Sequence, residues 1–147
     1  MRVAIGSDHA GFALKEKTKK YLDTRSIPYE DFGSLSTESN DYPDTAVRVA
    51  RSVAEGTFTH GILICATGIG MSIVANKISG VRAALCCSRK QARLSVEHNN
   101  ANILVMGGRI TPWRKARPIL RSFFDARFES GGRHERRVKK IHDLTGR

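Results

Sequence analysis

The chain has 147 residues, a formal net charge of +11 and three cysteines, Cys65, Cys86 and Cys87. This length predicts one domain, residues 1–147, with a core that needs no metal or disulfide support, and the odd cysteine count argues against a disulfide framework. No apolar stretch approaches the length of a transmembrane helix, and the N-terminus lacks a signal-peptide pattern. We therefore expect a soluble, cytoplasmic protein without a membrane partner.

The positive charge is concentrated in the C-terminal quarter. Residues 109 to 147 hold 12 lysines and arginines against four acidic residues, which is +8 of the total. Such an excess implies an anionic partner. The segment has no zinc-finger spacing, RNA-binding signature or basic repeat with interleaved aromatic residues, and phosphorylated metabolites explain the charge equally well. We predict no nucleic-acid partner, with a non-catalytic nucleotide- or nucleic-acid-binding Rossmann module as the competing hypothesis.

Short apolar or β-branched runs alternate with helical patterns along the chain. The runs predict five strands, over residues 3 to 5, 29 to 32, 61 to 65, 81 to 86 and 102 to 106. Apolar residues between them recur at helical spacing, most clearly at Ala46, Val49, Ala50, Val53 and Ala54. Strands and helices that alternate through short connections favour an α/β fold, a Rossmann-like, doubly wound, five-stranded parallel sheet.

Two further helices are predicted after the last strand. An apolar stripe runs from Ala116 to Phe124 with Pro118 inside it, so we expect a late start or a kink there. After a pair of glycines, residues 133 to 144 are predicted to form an additional C-terminal helix. Its short apolar stripe, which includes Ile141, suggests docking on another subunit.

Reactive side chains follow the first, third and fifth predicted strands. Asp8 and His9 follow the first, Cys65 ends the third, and Arg109 comes after the fifth. Because ligands bind outside the carboxyl ends of parallel strands, we expect these residues at one edge of the sheet. The segment 67 to 70 is a glycine-rich turn that opens a helix, and its N–H groups can hold an anion. It matches neither a Walker A loop nor a dinucleotide fingerprint.

Cys65 has two interpretations, a small buried residue at the end of a strand or a catalytic base. A thiol beside the amides of a helix N-terminus has its thiolate favoured, and a thiolate can take a proton from a carbon next to a carbonyl. Cys86 and Cys87 lack that setting. No set of histidine, cysteine and carboxylate side chains has recognisable ligand spacing, so we predict no metal.

Residues later in the chain add candidates for the same site. His98 lies near the end of the predicted fourth helix, and we expect it beside the carboxyl edge of the sheet. Arg133 and Arg137 are four residues apart on one helix face, where their forked donors could clamp a phosphate. A capping histidine and a solvated helix face are the alternatives.

Six short segments carry a family resemblance, and they occupy residues 6 to 12, 41 to 43, 64 to 70, 75 to 77, 98 to 99 and 131 to 134. In this order they resemble the ribose-5-phosphate isomerase B family, and in part the galactose-6-phosphate isomerase subunits. The resemblance implies a cofactor-free homodimer, paired into tetramers in some members, with each active site at the subunit interface. Its substrate would be ribose 5-phosphate, with allose 6-phosphate or galactose 6-phosphate as six-carbon alternatives.

The resemblance also implies roles for individual residues. Cys65 resembles the base that moves a proton between C1 and C2 through a cis-enediolate, with Thr67 assisting. Asp8 and His98 resemble the residues that open the sugar ring and handle the hydroxyl proton. The remaining matches are an anion hole and substrate contacts, namely Ala66, Thr67, Gly68, Ile69, Gly70, Asp8, His9, Asn99, Arg109, Arg133 and Arg137. His98 and Asn99 would serve the site of the neighbouring chain.

Overall fold

The computed structural model describes all 147 residues. Its strands are β1 (Val3–Ser7), β2 (Tyr29–Asp31), β3 (His60–Cys65), β4 (Ala83–Leu85) and β5 (Ile103–Gly107). Its helices are α1 (Phe12–Thr24), α2 (Tyr42–Ala54), α3 (Ile69–Ala75), α4 (Arg89–Asn99), α5 (Trp113–Asp125) and α6 (Arg133–Thr145). All strands pair in parallel, in the order β2-β1-β3-β5-β4. The predicted α/β Rossmann-like fold is confirmed.

Two hydrophobic clusters cover the two faces of the sheet. One joins α1, α4 and α5 to the strand residues Val3, Ile5, Ile62 and Ile64, among others. The other joins α2 and α3 to the alternate residues of the same strands, including Leu63 and Cys65. Successive side chains of a strand point to opposite faces, so a strand buried on both faces is apolar throughout. No helix of the chain has the length and apolarity that a membrane span requires.

The observed elements differ from the predicted ones at their ends, and β1 extends to Ser7 rather than residue 5. The edge strands β2 and β4, which each pair with one neighbour, have three residues each. α5 begins at Trp113, five residues before Pro118, and continues through it to Asp125. The predicted late start at Pro118 is therefore wrong, and the kink stays a prediction.

The strand order places a topological switch point between β1 and β3. From β1 the chain first moves outward to β2 and then returns to the other side of β1 to form β3. Helices that leave β1 and β3 therefore lie on opposite faces, α1 with one cluster and α3 with the other. This divergence opens a crevice beyond the carboxyl ends of the two strands, which is where open α/β sheets bind ligands.

A buried ion pair supports the first turn of this crevice. The side chain of Lys15 is fully buried, and its Nζ lies against Asp31 Oδ2, which also accepts from Lys19 Nζ at 2.9 Å. The other carboxylate oxygen of Asp31 accepts from Gly33 N–H at 3.0 Å. Gly33 O in turn accepts from Ser7 N–H at 2.6 Å, so the pair anchors the loop beside the end of β1.

Replacement of Asp31 by asparagine is expected to lower the free energy of unfolding at pH 7 by about 3 kcal/mol, because it leaves the buried ammonium of Lys15 poorly compensated. Burial opposes ionisation of Asp31, but hydrogen bonds from Lys15 and Lys19 lower its pKa below the usual value. The stabilisation is therefore complete above the unfolded-state pKa of about 3.9 and is lost as the pH falls through the folded-state value. Denaturant unfolding at several pH values should show the difference from wild type shrinking below about pH 4.

Glu30→Gln is the matched control for this measurement. It breaks the ion pair between Arg2 and Glu30, whose side chains are 53% and 55% exposed. Exposed pairs contribute about 0–1 kcal/mol, so we expect little change. Equal losses in the two variants would contradict the role assigned to the buried pair.

Candidate active site

The turn after β1 presents Asp8 and His9 at the switch point. Asp8 is buried, and its Oδ1 accepts a hydrogen bond from Gly11 N–H at 2.9 Å. His9 Nδ1 accepts from Asn40 N–H at 3.3 Å, and His9 N–H donates to Asn40 Oδ1 at 2.9 Å. Because Nδ1 is an acceptor, a neutral His9 carries its proton on Nε2. Asn40 thus orients a predicted site residue.

The turn after β3 is folded around the sulfur of Cys65. This side chain is 4% exposed, and its Sγ accepts a hydrogen bond from Gly68 N–H at 3.2 Å. Gly68 has a φ of 81°, and a Cβ there would lie 2.5 Å from Leu85 Cδ1 and 3.0 Å from the carbonyl carbon of Met106. Glycine fits here because it has no Cβ, so it tolerates both the positive φ and the short distances to its neighbours.

Several amides of the same turn have no acceptor within the chain. Thr67 Oγ1 accepts from Ile69 N–H at 3.3 Å, which uses one of them. The N–H groups of Ala66, Thr67 and Gly70 are left without a protein partner. These groups adjoin Cys65 and precede or open α3, so they are available to an anion beside the sulfur.

The turn after β5 packs directly on the other two turns. Gly108 N–H donates to Cys65 O at 2.7 Å, and Arg109 N–H donates to Ala66 O at 3.0 Å. A Cβ on Gly108 would lie 2.7 Å from the carbonyl oxygen of Ala10, so the absent side chain permits contact with the β1 turn. Asp8, His9, residues 65 to 70 and Arg109 thus meet at one edge of the sheet.

The other two cysteines occupy different environments. Cys86 is buried in the core cluster with α4 and α5, and burial raises the pKa of its thiol to about 11. It therefore stays protonated near neutral pH. Cys87 is exposed. Only Cys65 combines burial with a hydrogen bond from the amide of a glycine-rich turn.

Four predicted site residues lie at the opposite edge of the sheet: His98, Asn99, Arg133 and Arg137. Arg82, just before β4, donates from Nε to Asn100 O at 2.7 Å, which marks the end of α4 as the amino edge. The expectation that His98 lies beside the carboxyl edge is therefore wrong. A crossover helix between parallel strands must return the chain to their amino ends. The five residues of β5 separate the two edges by about 16 Å.

The four predicted site residues at the amino edge, which we call the amino-edge group, lie on α4 and α6. The rings of His98 and His134 stack at a centroid distance of 4.0 Å with an interplanar angle of 3°. Burial and the nearby charges of His98 and Arg133 lower the pKa of His134, which favours its neutral form. Arg133 and Arg137 are exposed on the first turns of α6. One chain therefore holds the predicted site residues in two separate groups, one at each edge of the sheet, which we call the two half-sites.

The amino-edge group also contains atoms of metal-ligand type. Donor atoms of His98, Glu129 and His134 lie within 4.8 Å of one another. A metal ion binds an imidazole nitrogen near the plane of its ring. The His98 and His134 rings lie in separate parallel planes, so one ion cannot occupy both planes without rotation of a ring. The absence of a functional metal stays a prediction.

Three residues of the two half-sites were not predicted individually. Asn40 lies in a polar loop, and its contact with His9 spans 31 residues. Tyr42 covers the β3 turn, since a Cβ on Gly70 would lie 2.5 Å from its ring. His134 stands in a recognised motif beside Arg133, but its stacking partner lies on another helix. Each contact depends on tertiary packing, which periodicity does not report.

Comparison with known proteins adds independent findings. The family profile described as Ribose/Galactose Isomerase matches residues 3–141. Ribose-5-phosphate isomerase B of Escherichia coli (strain K12) is 43% identical over 146 residues, which cover 99% of this chain and 97% of that protein. A solved Clostridium thermocellum ribose-5-phosphate isomerase B is 44% identical with a TM-score of 0.96, over 99% and 98% of the two chains. The Mycoplasma genitalium enzyme of that name, solved with bound ribulose 5-phosphate, is 39% identical with a TM-score of 0.93, over 99% and 96%.

Proposed function

The chain belongs to the ribose/galactose isomerase family and is an aldose–ketose isomerase, and we propose that residues 1–147 act as one domain that interconverts ribose 5-phosphate and ribulose 5-phosphate. The observation that carries the proposal is the β3 turn, in which Cys65 Sγ adjoins free amides at the switch point. The bound ribulose 5-phosphate of the Mycoplasma genitalium relative supports this choice of substrate.

Cys65 is the proposed base. Its thiolate takes the proton from C2 of the open-chain aldose, the electron pair forms the C1–C2 double bond, and the carbonyl oxygen on C1 gains negative charge. The proton of the C2 hydroxyl passes to the C1 oxygen. As the C2 carbonyl forms, the thiol returns its proton to C1, which regenerates the thiolate. The free amides of Ala66, Thr67 and Gly70 face the enediolate charge, and such preorganised donors contribute about 10²–10³ in rate each.

The amino-edge residues complete the site from a second copy of the chain. We propose that Asp8 and His98 open the sugar ring and that Asn99 binds a sugar oxygen. The phosphate is bound by a set of basic side chains, namely Arg133, Arg137, Arg109 and His9. Because one chain holds these groups about 16 Å apart, a homodimer in which each carboxyl edge faces the partner's amino edge is the simplest assembly. A tetramer would pair two such dimers.

The surface around the carboxyl-edge half-site supports this assembly. Large apolar side chains are exposed there at Tyr42, Ile69, Ile73 and Ile110, of which the last three are more than half exposed. The apolar residues Ile141 and Leu144 are exposed on α6 at the other edge. Burial of both patches between copies would remove apolar surface from water.

Replacement of Arg137 by alanine is expected to raise KM for ribose 5-phosphate about 10- to 100-fold with a much smaller change in kcat, because a charge-assisted hydrogen bond to the phosphate is lost in both ground and transition states. Steady-state kinetics measure both constants. Arg136→Ala is the matched control, since Arg136 is also exposed but lies on a different face of α6. Unchanged KM in Arg137→Ala would remove this residue from the phosphate site.

A sugar-phosphate panel tests the function as a whole. We expect kcat/KM to be highest for ribose 5-phosphate, and activity to persist with excess chelator because no cofactor is proposed. A higher kcat/KM for allose 6-phosphate or galactose 6-phosphate would favour the six-carbon alternative. Loss of all turnover together with steeply salt-dependent nucleic-acid binding would favour the non-catalytic module. A cytoplasmic location and the absence of membrane and nucleic-acid partners stay predictions.

A further inference from the structure

A second cleft lies on the outer side of α1, α4 and α5. It has a volume of about 1050 Å³, and only two of its 12 lining residues are hydrophobic. Its charged side chains are Arg25, Arg89, Arg93, Arg117, Arg121, Glu97 and Asp125. Five guanidinium groups less two carboxylates give the cleft a net charge of +3. No residue of the two half-sites lines it.

The carboxylates neutralise only part of this charge. Arg25 lies 2.8 Å from Asp125 and also donates to Tyr21 Oη at 2.9 Å. Arg121 lies 3.4 Å from the other oxygen of Asp125, and Arg93 lies 3.7 Å from Glu97. Arg89 and Arg117 also line the cleft, and their side chains have no ion-pair or hydrogen-bond partner in the chain. The guanidinium groups of Arg89 and Arg117 are thus available to bind an anion from solution.

The arginines form two rows on neighbouring helices. Arg89 and Arg93 are four residues apart on α4, and Arg117 and Arg121 are four apart on α5, so each pair lies on one helix face about 6 Å apart along the axis. α4 and α5 both start at the carboxyl edge and run toward the amino edge. The rows therefore run in the same direction on the two sides of the cleft.

We propose that this cleft binds an oligophosphate, meaning two or three linked phosphate groups, either as a free anion or as part of a nucleotide. Arginine binds phosphate through its planar fork, and a phosphate chain presents several charges at short spacing to both rows. A single phosphate would leave the net charge of +3 incompletely neutralised. The volume exceeds the usual range for small-molecule sites only slightly, which leaves room for the remainder of a nucleotide.

The lining argues against single-stranded nucleic acid as the ligand. Such strands bind by stacking their bases on exposed aromatic side chains along a basic groove. The aromatic residue of this cleft, Tyr21, is 7% exposed, and its hydroxyl is held by Arg25. The cleft also ends within about three turns of helix, from Arg117 to Ala126.

The test is calorimetric titration of the full chain with inorganic triphosphate in the absence of magnesium. The double variant Arg89→Ser/Arg117→Ser should bind at least about tenfold more weakly than wild type, because two charge-assisted contacts are lost, and should keep its isomerase kinetics. Lys17→Ser/Arg51→Ser is the matched control, since it removes two exposed cations outside the cleft and should leave binding unchanged. Arg137→Ala should also bind triphosphate normally, which separates this cleft from the proposed sugar-phosphate site.

Other results would overturn the proposal. If triphosphate binds the cleft variant and its control equally weakly, the loss of affinity comes from the lower net charge of the protein and not from the cleft. If Arg137→Ala no longer binds triphosphate, the anion binds at the isomerase site. A single-stranded RNA of about 12 nucleotides that binds wild type more tightly than triphosphate, and fails with the cleft variant, would identify a nucleic-acid surface instead. A parallel titration with ATP distinguishes the two sources, since a nucleotide site binds ATP more tightly than triphosphate.

Discussion

Replacement of Cys65 by alanine is expected to lower kcat for ribose 5-phosphate isomerisation by about 10²–10⁴-fold, the range attributed to a general base. The variant removes the proposed base, and residues 69 to 75 contain no carboxylate that could replace it. Substrate binding should survive, because the amides of the β3 turn and the arginines are untouched. A coupled assay for ribulose 5-phosphate, together with titration of the variant with ribose 5-phosphate, measures the two effects separately.

Two further variants make this result specific. Cys65→Ser keeps an acceptor for Gly68 N–H but offers a hydroxyl that is a far weaker acid than a thiol, so we expect a similar loss of kcat. Cys87→Ala removes an exposed cysteine outside both half-sites and should have wild-type kinetics. Circular dichroism should show that all three variants fold, since burial of one sulfur atom contributes about 1 kcal/mol or less to the free energy of unfolding. Turnover near the wild-type rate in folded Cys65→Ala would refute the proposed base.

Mixing two inactive variants is expected to restore activity. Cys65→Ala lacks the proposed carboxyl-edge base, and His98→Ala lacks the amino-edge residue proposed to act in the partner's site. If both residues belong to one site shared between chains, a heterodimer contains one intact site and one doubly defective site. An equal mixture in which half of the dimers are mixed should therefore recover about a quarter of the wild-type specific activity.

A second mixture provides the control for subunit exchange. Cys65→Ala and Asp8→Ala both damage the carboxyl edge, so every site of their heterodimer lacks one group and activity should stay at the background of the two variants. Native mass spectrometry can establish that exchange has occurred in both mixtures. If exchange is complete and the first mixture stays inactive, the two half-sites do not meet between chains. Recovery in the second mixture would likewise contradict the shared-site assembly.

The sequence predicted the sheet well because its strands are buried on both faces. Continuous apolar runs such as residues 61 to 65, separated by helical spacing, leave few alternatives to a doubly wound sheet. The strand ends at Asp8, Cys65 and Arg109 could also be assigned to one edge, since every strand of a parallel sheet points the same way.

The errors arose where three-dimensional direction or packing decides the outcome. Residue His98 follows a strand by about three turns of helix, and only the return direction of α4 places it at the amino edge. The local helix rule predicts a late start or a kink at Pro118, whereas packing of Ala116 before it and of Ile119 and Leu120 after it holds α5 together on both sides. The spacing of Arg89 and Arg93 is visible in the sequence, but their convergence with α5 is not.

The three interlocked turns at the carboxyl edge limit how this protein can change its substrate. Gly68 and Gly108 have no room for a side chain, since an added Cβ would meet backbone atoms of Met106 or Ala10. At these two positions the wall of the proposed pocket is main chain, so a side chain cannot be added there without displacing the turns around the sulfur. In the proposed assembly, selection for a longer or shorter sugar would therefore act on the opposite wall, among the residues of α6 from a neighbouring copy.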